Sequence, residues 1–254
     1  MARYYRTFLH VRSWIFTDIW DSNSDGHKSI KLVRQIHKST ALKITKKMPQ
    51  NDKEWISQTD LAFTLVGFAG SIVISPYGFG VEDGEGLANY IYFWRVLGYL
   101  HGLDDEFNPF SGSLLSVRRT VYETAERVLI PSWEDPDPKY LPMANAITKN
   151  QEQLHSILLY AIDLAIEGNG KYGNPMSSDR LVRIRENYPV KSQSRLFWRK
   201  LLMQKLYHYN LIRIGVNYLT ELGVTLAFLA TRISGYLNRL KTICSTKQQS
   251  PRIS

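Results

Sequence analysis

A single cysteine, Cys244, stands in 254 residues. It rules out an internal disulfide and any Cys-x-x-Cys redox or zinc site, which fits a reducing compartment and a fold held by its core. The sequence also lacks a His-Glu-x-x-His pair, a Walker-type phosphate loop and a Gly-x-Ser-x-Gly elbow. Zincin, P-loop and serine-hydrolase chemistry are therefore unsupported, and Ser71 in "FAGSIV" stands alone inside an apolar helix. No apolar run reaches the roughly 20 residues of a spanning helix. The stretch from Leu61 to Ile74 is too short, and "LGVTLAFLA" is bounded by Glu221 and Arg232. The opening "MARYYRTFLHVRSW" has charges and a histidine where a signal peptide needs an apolar segment. It reads as the middle of an amphipathic helix and implies a longer precursor.

What is present is positive charge. Thirty-two Lys and Arg against 23 Asp and Glu give +9, and from Arg180 onward Glu186 and Glu221 are the only acids. The segment from Glu82 to Asp105 is acidic at both ends. Basic character is thus a C-terminal property. It invites an anionic partner, but no helix-turn-helix or aromatic-interleaved basic motif accompanies it, so nucleic acid is not the expected partner. Apolar residues make up 44%, enough at this length for a substantial core.

Apolar spacing of three and four residues predicts an all-α protein. The first helix, about Tyr4 to Ile19, has its stripe at Phe8, Val11, Ile15 and Ile19, and "DSNSDG" ends it. The second, about Ser29 to Lys46, turns Ile30, Val33, His37, Ala41 and Ile44 inward. The third begins at Thr59 or Asp60 as cap and stops before Pro76. "PYGFGVEDGEG" lies between helices, so its glycines suit a turn rather than a phosphate cradle. The helix at 87–103 is apolar on most sides yet carries Arg95 at its centre, a charge that needs a partner. Further helices are expected at 113–129, 143–167 and within 193–240. "PSWEDPDPKYLP" reads as a proline-rich connector and "GNGKYGNPMSSD" as a loop. The chain divides into a helical domain over 1–190 and a basic amphipathic extension over 191–254. Apolar positions 211, 214, 218, 222, 225 and 229 form a core stripe, the face of a helix lying on an anionic membrane or, as the least favoured alternative, part of a membrane span.

The histidines are the remaining chemistry. His10, His27, His101, His155 and His208 are scattered, and none forms a zinc-type pair with another at short spacing. His101 closes a helix, where the dipole would favour an imidazolium. His37 lies on an apolar stripe one turn after Arg34. It is either a hydrogen-bonded core histidine or a metal ligand, and spacing leaves both open.

"FWRVLGYLHGLDDEFNPF" resembles a pattern of the family that contains the latex-clearing rubber oxygenases and the ER-bound oxygenase mpaB. That pattern, Trp-Arg-x-x-Gly-Tyr-Leu-x-Gly-x-x-Asp-x-Phe-Asn, is matched by Trp94, Arg95, Gly98, Tyr99, Leu100, Gly102, Asp105, Phe107 and Asn108. "SIKLVRQIHKS" resembles the family's Arg-x-x-His helix through Arg34 and His37. The likeness covers about residues 7 to 170.

The resemblance implies an all-α, globin-like fold that binds haem b, with His37 as the proximal iron ligand. It also implies dioxygen-dependent oxidative cleavage or oxidation of an apolar isoprenoid or lipid substrate, the haem carrying the oxygen chemistry. An intracellular site peripheral to the endoplasmic reticulum membrane would follow. Trp94 and the two arginines, Arg34 and Arg95, are the candidate haem neighbours, the arginines pairing propionates or orienting the ligand helix. Thr17 matches the threonine of the distal Arg-x-x-Lys-Thr helix, and Thr17 and Arg34 are the catalytic candidates. Ser13 and Phe16 stand where that pattern has arginine and lysine, and the family's acidic base would lie upstream of Met1. The alternative is a catalytically degenerate helical protein that serves as a membrane-associated or partner-binding module.

Overall fold

A computed structural model describes residues 2–48, 55–81, 84–135, 137–139, 160, 179, 182, 186, 194, 197–223, 225–226 and 229. The fold is all-α, and no strand occurs among the described residues. The chain divides into two compact units, residues 1–204 and 205–254. The expected helix at 143–167 and the loop "GNGKYGNPMSSD" lie outside the described residues, apart from Tyr160 and Asp179.

In the first unit, α1 (Ala2–Phe16) pairs with α2 (Asp25–Lys47), α2 packs on α4 (Glu85–His101), and α3 (Gln58–Ile74) packs on α4 and on α5 (Leu114–Thr124). The inward face of α1 differs by one residue from the expected stripe. Trp14 is buried while Ile15 is exposed, because the Trp14 indole N–H donates to Ser29 Oγ of α2 over 2.9 Å. An exposed indole would forfeit that bond and its large apolar burial. Phe16 also faces outward, beneath the Arg12 guanidinium at 5.2 Å.

Side-chain caps set the helix starts. Ser24 accepts from the His27 N–H and opens α2 four residues before the expected start. Ser57, not Thr59 or Asp60, caps α3, and Asp60 completes a capping box with it. Helix α4 ends in a left-handed Gly102 (φ 98°), where the Leu103 N–H returns to the Gly98 carbonyl and the Gly102 N–H to that of Tyr99. A side chain there would strain that backbone, and the paired return bonds satisfy the terminal carbonyls.

Among the described residues the buried arginine is Arg118, whereas Arg95 is partly exposed. Its Nε donates to the Val73 carbonyl at the C-terminal end of α3, where the helix dipole favours a cation. After α5 the helix widens into a π-turn, Ala125–Leu129, and continues as α6 (Ile130–Glu134). The first residues of the expected connector are therefore helical. Pro131 lies at the beginning of α6, where a missing N–H is tolerated.

In the C-terminal region, residues 197–200 are helical, Leu201–Leu206 form a π-turn, and 210–223 form a helix. Its stripe does not form a core: Leu211, Ile214, Tyr218 and Leu222 are exposed. Among the described residues no helix is long and apolar enough to cross a membrane.

Candidate functional site

Four helices of the first unit enclose a cavity of about 150 Å³. Each helix contributes side chains at its own three- and four-residue spacing. Helix α1 gives Thr7, His10 and Trp14; α2 gives Val33 and His37; α3 gives Leu61, Thr64, Leu65 and Phe68; α4 gives Trp94, Leu97, Gly98 and His101. The wall is mostly apolar, and its principal polar groups are three imidazoles.

The imidazoles are not equivalent. His10 Nδ1 lies 2.7 Å from Ser29 Oγ, the hydroxyl that also accepts from Trp14. His37 Nδ1 is buried without a hydrogen-bond partner, and both ring nitrogens of His101 are buried in the same condition. The His37 and His101 rings lie 6.2 Å apart between centres, and Trp14 packs on His101 at 4.6 Å. Burial pushes His37 below the usual imidazole range. His101 is pushed to about 4, first by burial and then by the His37, Arg34 and His10 charges. Burial and the nearby Arg6 lower His10. At neutral pH all three rings are therefore uncharged, the form in which imidazole offers a lone pair. The imidazolium cap expected of His101 does not form, because desolvation against Trp14 outweighs the helix dipole.

The residues singled out from sequence separate into two groups. His37 and Trp94 line the cavity. Arg34, exposed on α2, sends Nη1 to the Leu100 carbonyl at 3.3 Å and so ties α2 to the end of α4. Its guanidinium is not among the groups that line the cavity. Arg95 has the partner that a charge on this helix needs. It does not face the cavity: its Nε donates to Asp105 Oδ1 over 2.8 Å and its Nη2 to Asp105 Oδ2, on the exposed side of α4. Trp94 points inward, and the next residue is rotated about 100° around the helix. Thr17 is also elsewhere. Its hydroxyl donates to the Ser13 carbonyl and accepts from the Gly26 N–H, both at 2.8 Å, in the turn between α1 and α2.

The tryptophan–arginine block has a structural use in this chain. The Asn108 amide donates to the Arg95 carbonyl, and its oxygen accepts from the Phe110 N–H, each at 3.0 Å. A Cβ on Gly98 would meet Asn108 Nδ2 at 2.9 Å and Leu65 at 3.1 Å. The loop after α4 is thus clasped onto the helix that carries Trp94 and His101.

Reasoning from sequence put His101 at the end of its helix, where it is, but missed that it faces the cavity. Its signal was available, since 94, 97, 98 and 101 share one helix face. Among the described residues no group of three or more His, Cys, Asp or Glu side chains could hold a metal ion. Compared with known proteins, the chain matches no family model, no curated protein and no solved structure.

Proposed function

We propose that the chain is a haem b-dependent, oxygenase-like protein of the rubber oxygenase and mpaB type, with a globin-like helical domain and an apolar isoprenoid or lipid substrate. The observation that carries this reading is His37, a neutral imidazole with an unpartnered, buried Nδ1 beside an apolar cavity.

The residues fit such a group in donor chemistry. A haem iron takes one or two axial side chains and gets its other ligands from the macrocycle, so a three-residue metal cluster is not required. The 150 Å³ void is the size that admits a benzene-like ring. His37 would hold the iron, Trp94, Phe68 and Leu97 would wall the ring, and Arg34 would fix the ligand helix. When bound, haem supplies dioxygen chemistry. The chain's own contribution is to keep His37 uncharged, exclude water with apolar walls and orient α2 against α4.

Purified protein titrated with hemin, as wild type and His37→Ala, tests this. The wild type is expected to develop a Soret band that His37→Ala shifts or loses. An identical band in both proteins removes His37 as ligand. No band at all favours the degenerate alternative.

A second reading concerns the C-terminal segment. Leu211, Ile214, Tyr218 and Leu222 make one exposed apolar face, and Arg199, Lys200, Lys205 and Arg213 lie in and just before the same segment. An apolar face with flanking cations suits an anionic membrane surface. This would place an apolar substrate near the cavity's protein, and a vesicle-pelleting assay tests it.

A further inference from the structure

We propose that the four-helix cavity is a binding site for a neutral, hydroxylated single-ring molecule of the phenol class, held by His37 and His101. The inference goes beyond the haem reading and does not rest on it, since such a molecule would occupy the cavity as it stands. The two occupants could not share the space, so either reading can fail alone.

Volume is the first argument. An apolar void of about 150 Å³ admits one benzene-like ring, and that is the volume enclosed between these helices. The walls suit a flat ring. Phe68 stacks on Trp94 with centres 6.0 Å apart, and Trp14 packs on His101 at 4.6 Å. Aromatic walls of this kind hold a further ring in offset or edge-on contact.

Hydrogen bonding is the second. Of the three cavity histidines, His10 is engaged by Ser29, whereas His37 Nδ1 and both nitrogens of His101 are buried without partners. Buried polar groups are ordinarily satisfied, and unpaired ones call for a ligand or a water. A neutral imidazole carries one N–H and one lone pair, and a hydroxyl matches the two because it donates and accepts through one atom. An N···O bond of about 2.8 Å puts that oxygen about 4 Å from the imidazole centre. The 6.2 Å between the His37 and His101 centres then subtends close to a tetrahedral angle at a hydroxyl shared by both.

Charge is the third. Among the described residues no Asp, Glu, Lys or Arg lines the cavity, and burial keeps both rings uncharged at neutral pH. A carboxylate or an ammonium would lose its hydration there with no opposite charge to replace it. A phenol stays neutral at that pH, since its hydroxyl ionises only near pH 10.

The test titrates the full chain, without hemin, with phenol, toluene and benzoate by calorimetry at neutral pH. Wild type is expected to bind phenol about tenfold more tightly than toluene, the worth of one to two hydrogen bonds, and to leave benzoate unbound. A cavity without receptive imidazoles would rank phenol below toluene, because the hydroxyl would give up its water for nothing. His101→Leu, which replaces two unpartnered nitrogens with an apolar group of similar size, should bring phenol down to the level of toluene. If that variant does not fold by circular dichroism, the wild-type ranking decides alone. Toluene bound as tightly as phenol, benzoate bound in preference, or a phenol affinity that His101→Leu leaves unchanged overturns the proposal. So does the absence of heat at millimolar phenol, which would mean that water satisfies the imidazoles. A Soret band with hemin but no phenol binding leaves the haem reading and removes this one, and phenol binding without a Soret band does the reverse.

Discussion

The Asn108 side-chain amide reaches back over 3.0 Å to the carbonyl of Arg95, while the Arg95 guanidinium is held by Asp105. One short loop is thereby fastened to both the backbone and a side chain of the helix that carries the cavity wall. Gly98 makes the approach possible. Gly98→Ala should cost about 1–3 kcal/mol by overpacking against Asn108 and Leu65. Thermal melting should fall by several degrees, since each kcal/mol is worth about 2–4 °C in a chain of this size.

The Arg95–Asp105 pair lies on the exposed side of α4, and the bond from Arg95 holds the Asp105 carboxyl below its usual range. Arg95→Gln should therefore leave the hemin titration unchanged. A marked loss of hemin affinity would return Arg95 to the propionate role expected from sequence.

Ser29 serves two rings at once, Trp14 and His10. Ser29→Ala would strand a buried indole N–H and an imidazole nitrogen, so about 1–3 kcal/mol of stability should be lost. Urea unfolding monitored by tryptophan fluorescence measures this.

The cavity histidines give the protein a defined pH response. A histidine whose folded pKa lies below its unfolded value binds protons more readily when unfolded, so stability falls as pH drops below about 6.5. For His101, held at about 4, the loss accrues between about pH 6.5 and pH 4 and totals on the order of 3 kcal/mol. Above pH 7 this contribution is flat. Unfolding free energy measured across that window should decline, and His101→Leu should flatten the curve. An unchanged slope in the variant would place the titration elsewhere.

The exposed stripe on residues 210–223 gives a separate expectation. The full chain should pellet with vesicles rich in anionic lipid and not with neutral ones, and Leu211→Ser with Ile214→Ser should weaken the association. Raised salt should weaken it as well, through screening of Arg and Lys.

Much of the helical plan was legible because apolar spacing survives in sequence: α2, α3 and α4 lie close to where periodicity put them. Ends were less legible. Ser24 and Ser57 act through local side-chain hydrogen bonds, and neighbouring Asp25, Thr59 and Asp60 are also good capping residue types. His37 was found on its face, and Arg95 was read as needing a partner, but that the partner is Asp105 in the following loop depends on a turn that spacing does not encode. Thr17 could be matched to a pattern by spacing, yet its hydroxyl is spent in a turn that spacing does not encode. The approach of His37 to His101 depends on α2 meeting α4, a long-range relation that no local pattern carries.

The π-turn at Ala125–Leu129 bears on how this chain tolerates changes of length. There the Ile130 N–H reaches the Ala125 carbonyl, five residues back. Such a turn accommodates one residue more than a regular α-turn. Deleting a single residue between 125 and 129 should let the helix close into ordinary α geometry while keeping the buried face of Ile130 in phase with α5. The same deletion within α3 or α4 would rotate everything beyond it by about 100°. A one-residue deletion scan across α3, α4, α5 and this turn, read by soluble yield, should find the turn more permissive than the three helices.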